Sequence, residues 1–313
     1  MISIIVNFFN NRREAANTLH SMSAAYQGDS RDIEYEVIAL DNGSPQPLDP
    51  AAVRAFGEQF RYRFVETASK SPAAAINAAA RAAAGDELLV LIDGAHILTP
   101  GVLRGARRAF DEFESPFVAT APFHLGPTIQ NESVREGYNQ AVEDEVLDRS
   151  GWKDAGYRLY LASRSFADRG GGWFGCLPES GCIGLRKAAY LALGGYDERF
   201  QSPGGGLVNL DFFERAVSSP ALQYVMLLGE GTFHQFHGGV ASNAPVANHP
   251  YPQLHEEYRR LRGKSFAPPK RRPYFIGQIP DEALPAAAAS AAHGLKFWQQ
   301  AGPPQPDLFA RTS

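Results

Sequence analysis

The chain has 313 residues, of which 44% are hydrophobic and 20% are charged. This is the composition of a globular protein with one large domain or one domain and an appendage, and it excludes a wholly disordered chain, a fibre and a coiled coil. Thirty Lys and Arg residues against 34 Asp and Glu residues give a net charge of −4, so we expect no nucleic-acid partner.

The cysteines and the N-terminus predict a soluble cytoplasmic protein. Two cysteines, Cys176 and Cys182, are too few for a disulfide framework or a four-thiolate zinc site, and two reduced thiols are favoured over one local bridge. The N-terminal apolar run has no basic start and ends at Asn7, unlike a signal peptide. No stretch approaches the ~20 apolar residues of a transmembrane helix, although attachment to a membrane surface through a partner stays an alternative.

Short apolar strands alternate with helices in the first part of the chain. Strands are predicted over residues 3–8, 35–40, 62–66 and 87–92. Helices are predicted over residues 11–25, 50–60, 72–84 and 100–113. This alternation predicts an α/β fold whose mostly parallel sheet is covered by helices on both faces.

The second half of the chain is less regular. Strands are predicted over residues 118–122, 224–228 and 232–236, and helices over 131–147, 187–193 and 210–217. Residues 157–182 are rich in Gly, Arg and aromatic residues, which indicates loops that line a site. A Pro-rich break near Pro268 precedes an Ala-rich helix over 283–300, so we predict a domain over 1–262 and a C-terminal helix and tail over 263–313.

Polar side chains follow three of the predicted strands. Ligands of such sheets bind beyond the carboxyl ends of the strands, where we therefore expect the site. A carboxylate at Asp93, directly after a buried strand, needs a partner such as a divalent cation or a helix N-terminus. The other candidates after these strands are Asn7, Asn10, Asn11, Asp41, Asn42 and His96.

Common phosphate and zinc motifs are missing from the sequence. Residues 170–175 match the spacing GxGxxG, but they follow no buried strand, so a dinucleotide site is rejected. Neither a Walker loop nor an HExxH helix occurs, which counts against an ATPase and a zincin.

Four segments occur in a specific order. They are SIIVNFFNN from residue 3, VIALDNGS from residue 37, the stretch 72–100, and GGYDE from residue 194 followed by NLDFFER from residue 209. Over roughly residues 1–240, this series resembles a family 2-type glycosyltransferase of the GT-A fold. The resemblance implies a hexosyltransferase, as in polysaccharide biosynthesis, that uses a nucleotide-sugar donor and a carbohydrate or other hydroxyl acceptor.

The resemblance also implies roles for individual residues. Asp41 and Asn42 would contact the nucleotide, with Asn7 and Asn10 beside them, and Asp93 would hold Mn²⁺ or Mg²⁺ on the diphosphate. A UDP-sugar is the favoured donor because it is common among relatives, but these residues do not distinguish UDP from GDP or TDP.

The metal motif departs from the usual Asp-x-Asp. Ala95 takes the place of the second Asp and cannot bind a metal, while His96 follows one residue late. His96 is expected to reach the site only if the loop after Asp93 bulges. Relatives often supply a further ligand from a His after a late strand, for which His237 is preferred and His234 is second.

The acceptor side departs from the family as well. Asn209 lies where many inverting relatives carry the Asp that deprotonates the acceptor, and an amide cannot do so. Asp211 could replace it, or could instead pair with Arg215 four residues on. Inverting and retaining chemistry therefore both stay open.

Loop residues before Cys176 offer a sugar contact. Trp173 could stack on the sugar ring while Arg164 and Arg169 contact phosphate, or Trp173 could be packed in a solvated loop. These departures also leave two alternatives to an active transferase. One is a non-catalytic protein that kept the fold for nucleotide-sugar binding. The other is a nucleotidyltransferase, which is disfavoured because no Gly-rich phosphate loop follows the first strand.

Overall fold

A single mixed sheet organises the chain. The computed structural model describes residues 1–67, 69–163, 165–166, 170–239 and 250–302. Its ten strands in these ranges are β1 Ile2–Phe8, β2 Tyr35–Asp41, β3 Phe60–Phe64, β4 Glu87–Leu91, β5 His96–Leu98, β6 Pro116–His124, β7 Ser165–Phe166, β8 Ile183–Arg186, β9 Gln223–His234 and β10 Tyr274–Gly277.

The strand order is β10-β9-β6-β8-β4-β1-β2-β3, with β5 added to β9 and β7 added to β6. Neighbours among β1, β2, β3 and β4 are parallel, as are β6, β9 and β10, whereas β8 runs antiparallel between β4 and β6. The predicted mostly parallel sheet is therefore confirmed, and the repeated helical crossovers explain it.

Helices cover both faces of the sheet. They are α1 Arg12–Ser21, α2 Pro50–Arg54, α3 Ala73–Ala82, α4 Val102–Glu112, α5 Gln130–Ser133, α6 Gln140–Ser150, α7 Lys187–Ala192, α8 Val208–Ser218, α9 Tyr251–Arg262 and α10 Leu284–Ala301. Successive side chains along each strand point to opposite faces of the sheet and contribute to two hydrophobic cores. One holds apolar residues of α1, α2 and α4, and the other holds those of α3, α8 and α9. No helix in the described ranges is long and apolar enough to cross a membrane.

The strand directions bring several chain segments to one edge. Because β8 is antiparallel to both β4 and β6, these two strands point the same way, and β9 is parallel to β6. The carboxyl ends of β1, β2, β4, β6 and β9 therefore meet at one edge. The start of β8 and the start of β5 lie at that same edge, because each runs antiparallel to its neighbours.

Some predicted elements differ in the structure. The two strands predicted over 224–228 and 232–236 are the single strand β9, which is bulged near Gly229, where φ is +82°. The helix predicted over 131–147 is divided into α5 and α6 because Gly137 adopts a left-handed conformation, with φ of +91°.

The predicted domain boundary at residue 262 needs correction. β10 lies beyond this boundary, yet it extends the sheet by pairing with β9. The helix α10 packs on the segment at 172–174, where Ser290 Oγ accepts a hydrogen bond from the Phe174 amide at 2.9 Å. The chain after residue 262 thus contributes to the sheet and its cover instead of forming an appendage.

Candidate active site

A tight turn after β4 begins the site. The Ala95 amide donates to Asp93 Oδ1 at 2.9 Å, and the Gln235 amide donates to the Ala95 carbonyl at 2.8 Å. Gly94 lies against the ring of Phe8, where a Cβ atom would clash. The turn thus reverses the chain into β5, which runs antiparallel to β9.

Three histidines lie side by side on adjacent strands at this edge. His96 on β5 and His124 on β6 are both register partners of His234 on β9. Ring centroids are 5.0 Å apart for His96 and His234, and 5.3 Å apart for His124 and His234. All three side chains are buried.

Gln130 sets the tautomer of the central histidine. Gln130 Nε2 donates to the His234 carbonyl at 2.9 Å, which turns Gln130 Oε1 toward His234 Nδ1 at 2.7 Å. Because an amide oxygen only accepts, Nδ1 carries the proton, and the Nε2 of neutral His234 offers a lone pair. That Nε2 lies 3.2 Å from Asp93 Oδ2.

His237 completes the contacts of Asp93 just beyond β9. Its Nε2 lies 3.4 Å from Asp93 Oδ2 and 3.2 Å from His234 Nε2. Burial lowers the pKa of His237, but the adjacent Asp93 carboxylate, together with the charges of Glu14 and Glu143, outweighs this effect and the pKa is raised. Although burial opposes it, the two histidines hold the pKa of Asp93 well below its usual range.

The site contains a compact set of metal-ligating atoms. One ligand atom from each of Asp93, His96 and His234 lies within 4.8 Å of the other two. Burial lowers the pKa of His96 to about 3, so its imidazole is neutral and its lone pair is available. Within the described part of the chain, His96 Nδ1 is buried and has no hydrogen-bond partner. A neutral imidazole within reach of a carboxylate and a second imidazole fits a cation site.

The structure therefore brings together all four predicted metal ligands. His96 reaches Asp93 without the bulge that the sequence suggested, because β5 pairs with β9 and places His96 opposite His234. His237, the preferred ligand from the sequence, contacts Asp93 but is not a member of the three-residue set.

The predicted nucleotide residues at the carboxyl ends of β1 and β2 lie at the same edge. Asp41 is fully buried, and its carboxylate accepts from the Ser44 amide at 3.1 Å and the Leu48 amide at 2.9 Å. Asp41 therefore holds the loop after β2 in place, because each of its carboxylate oxygens accepts a hydrogen bond from a backbone amide of that loop. Asn42 is also buried, and its amide donates to the Phe8 carbonyl at 2.9 Å.

Asn7 and Asn10 differ in exposure. Asn7 is buried, with Nδ2 donating to the Ile92 carbonyl at 3.0 Å, and its Oδ1 has no partner among the described residues. Asn10 is exposed in a left-handed conformation, with φ of +56°, and its amide donates to Ser44 Oγ at 3.0 Å.

Two predicted contacts are corrected by their surroundings. Trp173 is fully buried, packs against Phe123, and donates from Nε1 to the Glu230 carbonyl at 2.8 Å, so it presents no exposed ring face. Asp211 is also fully buried, with Arg215 Nε 2.9 Å from Oδ2 and Arg262 Nη2 2.7 Å from the same oxygen. Asp211 thus forms the ion pair with Arg215 that the sequence offered as the alternative to an acceptor contact. Arg164 and Arg169 lie outside the described residues.

Asn209 contacts Glu179, a residue that was not identified from the sequence. Asn209 Nδ2 donates to Glu179 Oε2 at 2.7 Å and to the Ser180 carbonyl at 3.3 Å. Burial raises the pKa of Glu179, the hydrogen bond from Asn209 opposes this, and the negative charge of Asp93 raises it further. Glu179 belongs to the segment 157–182, whose composition indicated a site but singled out no carboxylate.

These observations agree with the comparison to protein families. Residues 3–156, about half of the chain, match the sequence model of Glycosyl transferase family 2, and this part of the chain belongs to that family. The predicted family and its GT-A fold class are thereby confirmed, together with the helix-flanked, mostly parallel sheet.

Solved structures similar to the chain include those of TarS from S. aureus. TarS 1-349 is 15% identical with a TM-score of 0.49, and the match covers 96% of this chain and 73% of that one. TarS 1-349 in complex with UDP-GlcNAc gives 15% identity, a TM-score of 0.49 and coverage of 96% and 74%. A longer TarS structure is 15% identical with a TM-score of 0.48, and the match covers 96% of this chain and 44% of that one. No curated protein matches the chain.

Proposed function

We propose that this protein is a divalent-cation-dependent glycosyltransferase that moves a sugar from a UDP-sugar to a hydroxyl group of an acceptor. The observation that carries the proposal is the set of Asp93, His96 and His234 at the carboxyl edge of the sheet in a family 2 chain. Carboxyl edges are where sheets of this kind bind their ligands.

Asp93, His96 and His234 would hold the cation, with His237 close enough to assist. Imidazole nitrogens favour transition metals over Mg²⁺, which prefers oxygen ligands, so Mn²⁺ is the better of the two expected ions. A divalent cation held there supplies positive charge against the charge that grows on a departing diphosphate.

The chain also offers polar groups for the nucleotide. Asn7 Oδ1 is a buried acceptor without a partner among the described residues. The next residue, Phe8, accepts a hydrogen bond from the Asn42 amide in the loop after β2, which Asp41 holds in place. Since a buried acceptor without a partner is costly, a donor group from a nucleotide would satisfy it. We therefore assign Asn7, Asn10 and the loop from Asn42 to the nucleotide, with Asp41 acting through the loop.

Release of the nucleoside diphosphate tests the proposal without a known acceptor, because water can replace the acceptor slowly. The purified protein is incubated with UDP-glucose, UDP-galactose, UDP-GlcNAc and GDP-mannose, with Mn²⁺ or with EDTA. We expect Mn²⁺-dependent release from at least one UDP-sugar, and a loss of at least ~100-fold in D93N, which keeps the turn but removes the charge.

The matched control is D111N. Asp111 is exposed and pairs with Arg107 on α4. This variant should release UDP at the rate of the unmodified protein. Tight binding of a UDP-sugar with no release under any condition would instead support the non-catalytic alternative, which the amide at Asn209 motivates.

A further inference from the structure

Glu179 occupies the loop that leads into β8 at the edge of the sheet that carries the histidines. β8 begins at Ile183, whose register partners are Val90 near the end of β4 and Ala119 on β6. Ser180 fixes the loop, since Ser180 Oγ donates to the Thr120 carbonyl at 2.8 Å. Glu179 is half-buried.

A part-buried hydrogen-bond chain orients the Glu179 carboxylate. Tyr196 Oη donates to Asn209 Oδ1 at 3.2 Å, and burial raises the pKa of Tyr196 well above its usual value, which keeps this donor protonated. The amide of Asn209 must then turn Nδ2 toward Glu179, where it meets Oε2 at 2.7 Å. Among the described residues no other group donates to Glu179, so Oε1 is left for a ligand.

The same loop touches the histidine cluster. A Cβ atom on Gly181 would lie 2.9 Å from His96 Cε1, so the backbone of Gly181 packs against that ring. Two residues of chain reach at most about 7 Å, which keeps Glu179 near the cluster. The charge of Asp93 contributes to the raised pKa of Glu179, as expected for two carboxylates that lie near each other.

We propose that Glu179 is the catalytic base for the acceptor and that Asn209 is its positioning residue. The inference rests on the proposed glycosyl transfer. The acceptor hydroxyl gives its proton to Glu179 Oε1, and its oxygen forms a bond to the anomeric carbon of the donor. The bond from that carbon to the diphosphate oxygen breaks, and its electron pair leaves with the nucleoside diphosphate. A carboxylate held by an amide donor thus replaces the Asp that many inverting relatives carry at the position of Asn209.

The inference is tested with E179Q and E179A, using the donor of the panel that gives the fastest UDP release and water as the acceptor. The amide of E179Q keeps an acceptor for Asn209 but cannot take a proton. We expect UDP release to fall at least ~100-fold in E179Q, because general bases contribute about 10²–10⁴ in rate. Binding of UDP with Mn²⁺ should stay within about threefold, since Glu179 contacts the acceptor side.

Two further measurements separate a base from a structural residue. Formate should restore part of the rate of E179A but none of the rate of D93N, because formate can accept the proton and cannot replace a metal ligand. Direct displacement inverts the anomeric centre, so an α-linked donor should release the β sugar, observable by early-time NMR. The matched control E145Q, at an exposed residue of α6, should keep the full rate.

The outcomes distinguish the two proposals. A folded E179Q that keeps the rate, a loss of UDP binding in E179Q, or release of the α sugar would each overturn the base assignment while leaving glycosyl transfer intact. Failure of the unmodified protein to release nucleotide from every donor would contradict the proposed function itself, and the base assignment would fall with it.

Discussion

Substituting Gly181 by alanine should displace His96 and weaken the cation site. The added Cβ would clash with Thr232 Oγ1 and lie 2.9 Å from His96 Cε1 and 3.0 Å from His96 Nδ1. Thr232 and His96 are both buried, so neither side chain can relieve the contact by moving into solvent. Restoring ordinary contact distances of about 3.4–4 Å moves the ring or the loop by ~0.5–1 Å.

That displacement exceeds the tolerance of a coordination bond. Metal–ligand distances vary by only about ±0.2 Å, so the site of G181A should lose His96 as an effective ligand. We expect Mn²⁺ affinity to fall about 10–100-fold, which is ~1.4–2.7 kcal/mol. Overpacking should also cost about 1–3 kcal/mol of stability, which a separate unfolding curve measures.

The assay is a titration of free Mn²⁺ by electron paramagnetic resonance on folded protein. G28A is the matched control, because a Cβ on Gly28 has no neighbour within 4 Å. G28A should bind Mn²⁺ as the unmodified protein does. If folded G181A also binds Mn²⁺ within about twofold of the unmodified protein, then His96 is not a ligand and the three-residue set is wrong.

Three other perturbations test the supports of the site. Q130A removes the partner of His234 Nδ1 and should weaken Mn²⁺ binding about 10–100-fold in the same titration; unchanged affinity would show that the tautomer of His234 needs no such support. D41N places an amide donor against backbone N–H groups, so it should lose about 1–3 kcal/mol of stability and bind UDP about tenfold more weakly by calorimetry; an unchanged UDP affinity in folded protein would remove Asp41 and its loop from the site. Cutting the chain after Arg262 removes β10 and exposes the edge of β9, so the product should be insoluble or should unfold at a temperature at least ~5 °C lower. Cutting after Gly302 should leave the melting temperature unchanged. Equal melting temperatures for the two products would support the boundary at residue 262.

The sequence predicted the first part of the fold well. The strands β1, β2 and β4 are short, mostly apolar segments, each followed by polar or turn-forming residues, and their length and β-branched residues identify them without tertiary information. Asp93 was identified for the same reason, because a carboxylate directly after such a strand stands out.

Elements that exist only through pairing were not predictable in this way. β5 has three residues and is a strand only because β9 pairs with it, yet that pairing is what places His96 beside His234. β10 was missed as well, since its four residues follow a Pro-rich stretch and gain their partner in β9.

The acceptor side shows the limit of motif reasoning. The pairing of Asp211 with Arg215 is local and follows from their i,i+4 spacing, but the approach of Arg262 depends on where α9 packs. Glu179 carries no periodic or motif signal. Only the fold brings it to Asn209, 30 residues further along the chain.

The affinity for UDP with and without Mn²⁺ tests the central claim most directly, because a cation held by Asp93, His96 and His234 must couple to the diphosphate it contacts. Calorimetric titration of the unmodified protein should show UDP binding at least about tenfold tighter with Mn²⁺ than with EDTA, and the same titration of D93N should show no such difference. Equal UDP affinities with Mn²⁺ and with EDTA in the unmodified protein would contradict a cation site that serves the nucleotide.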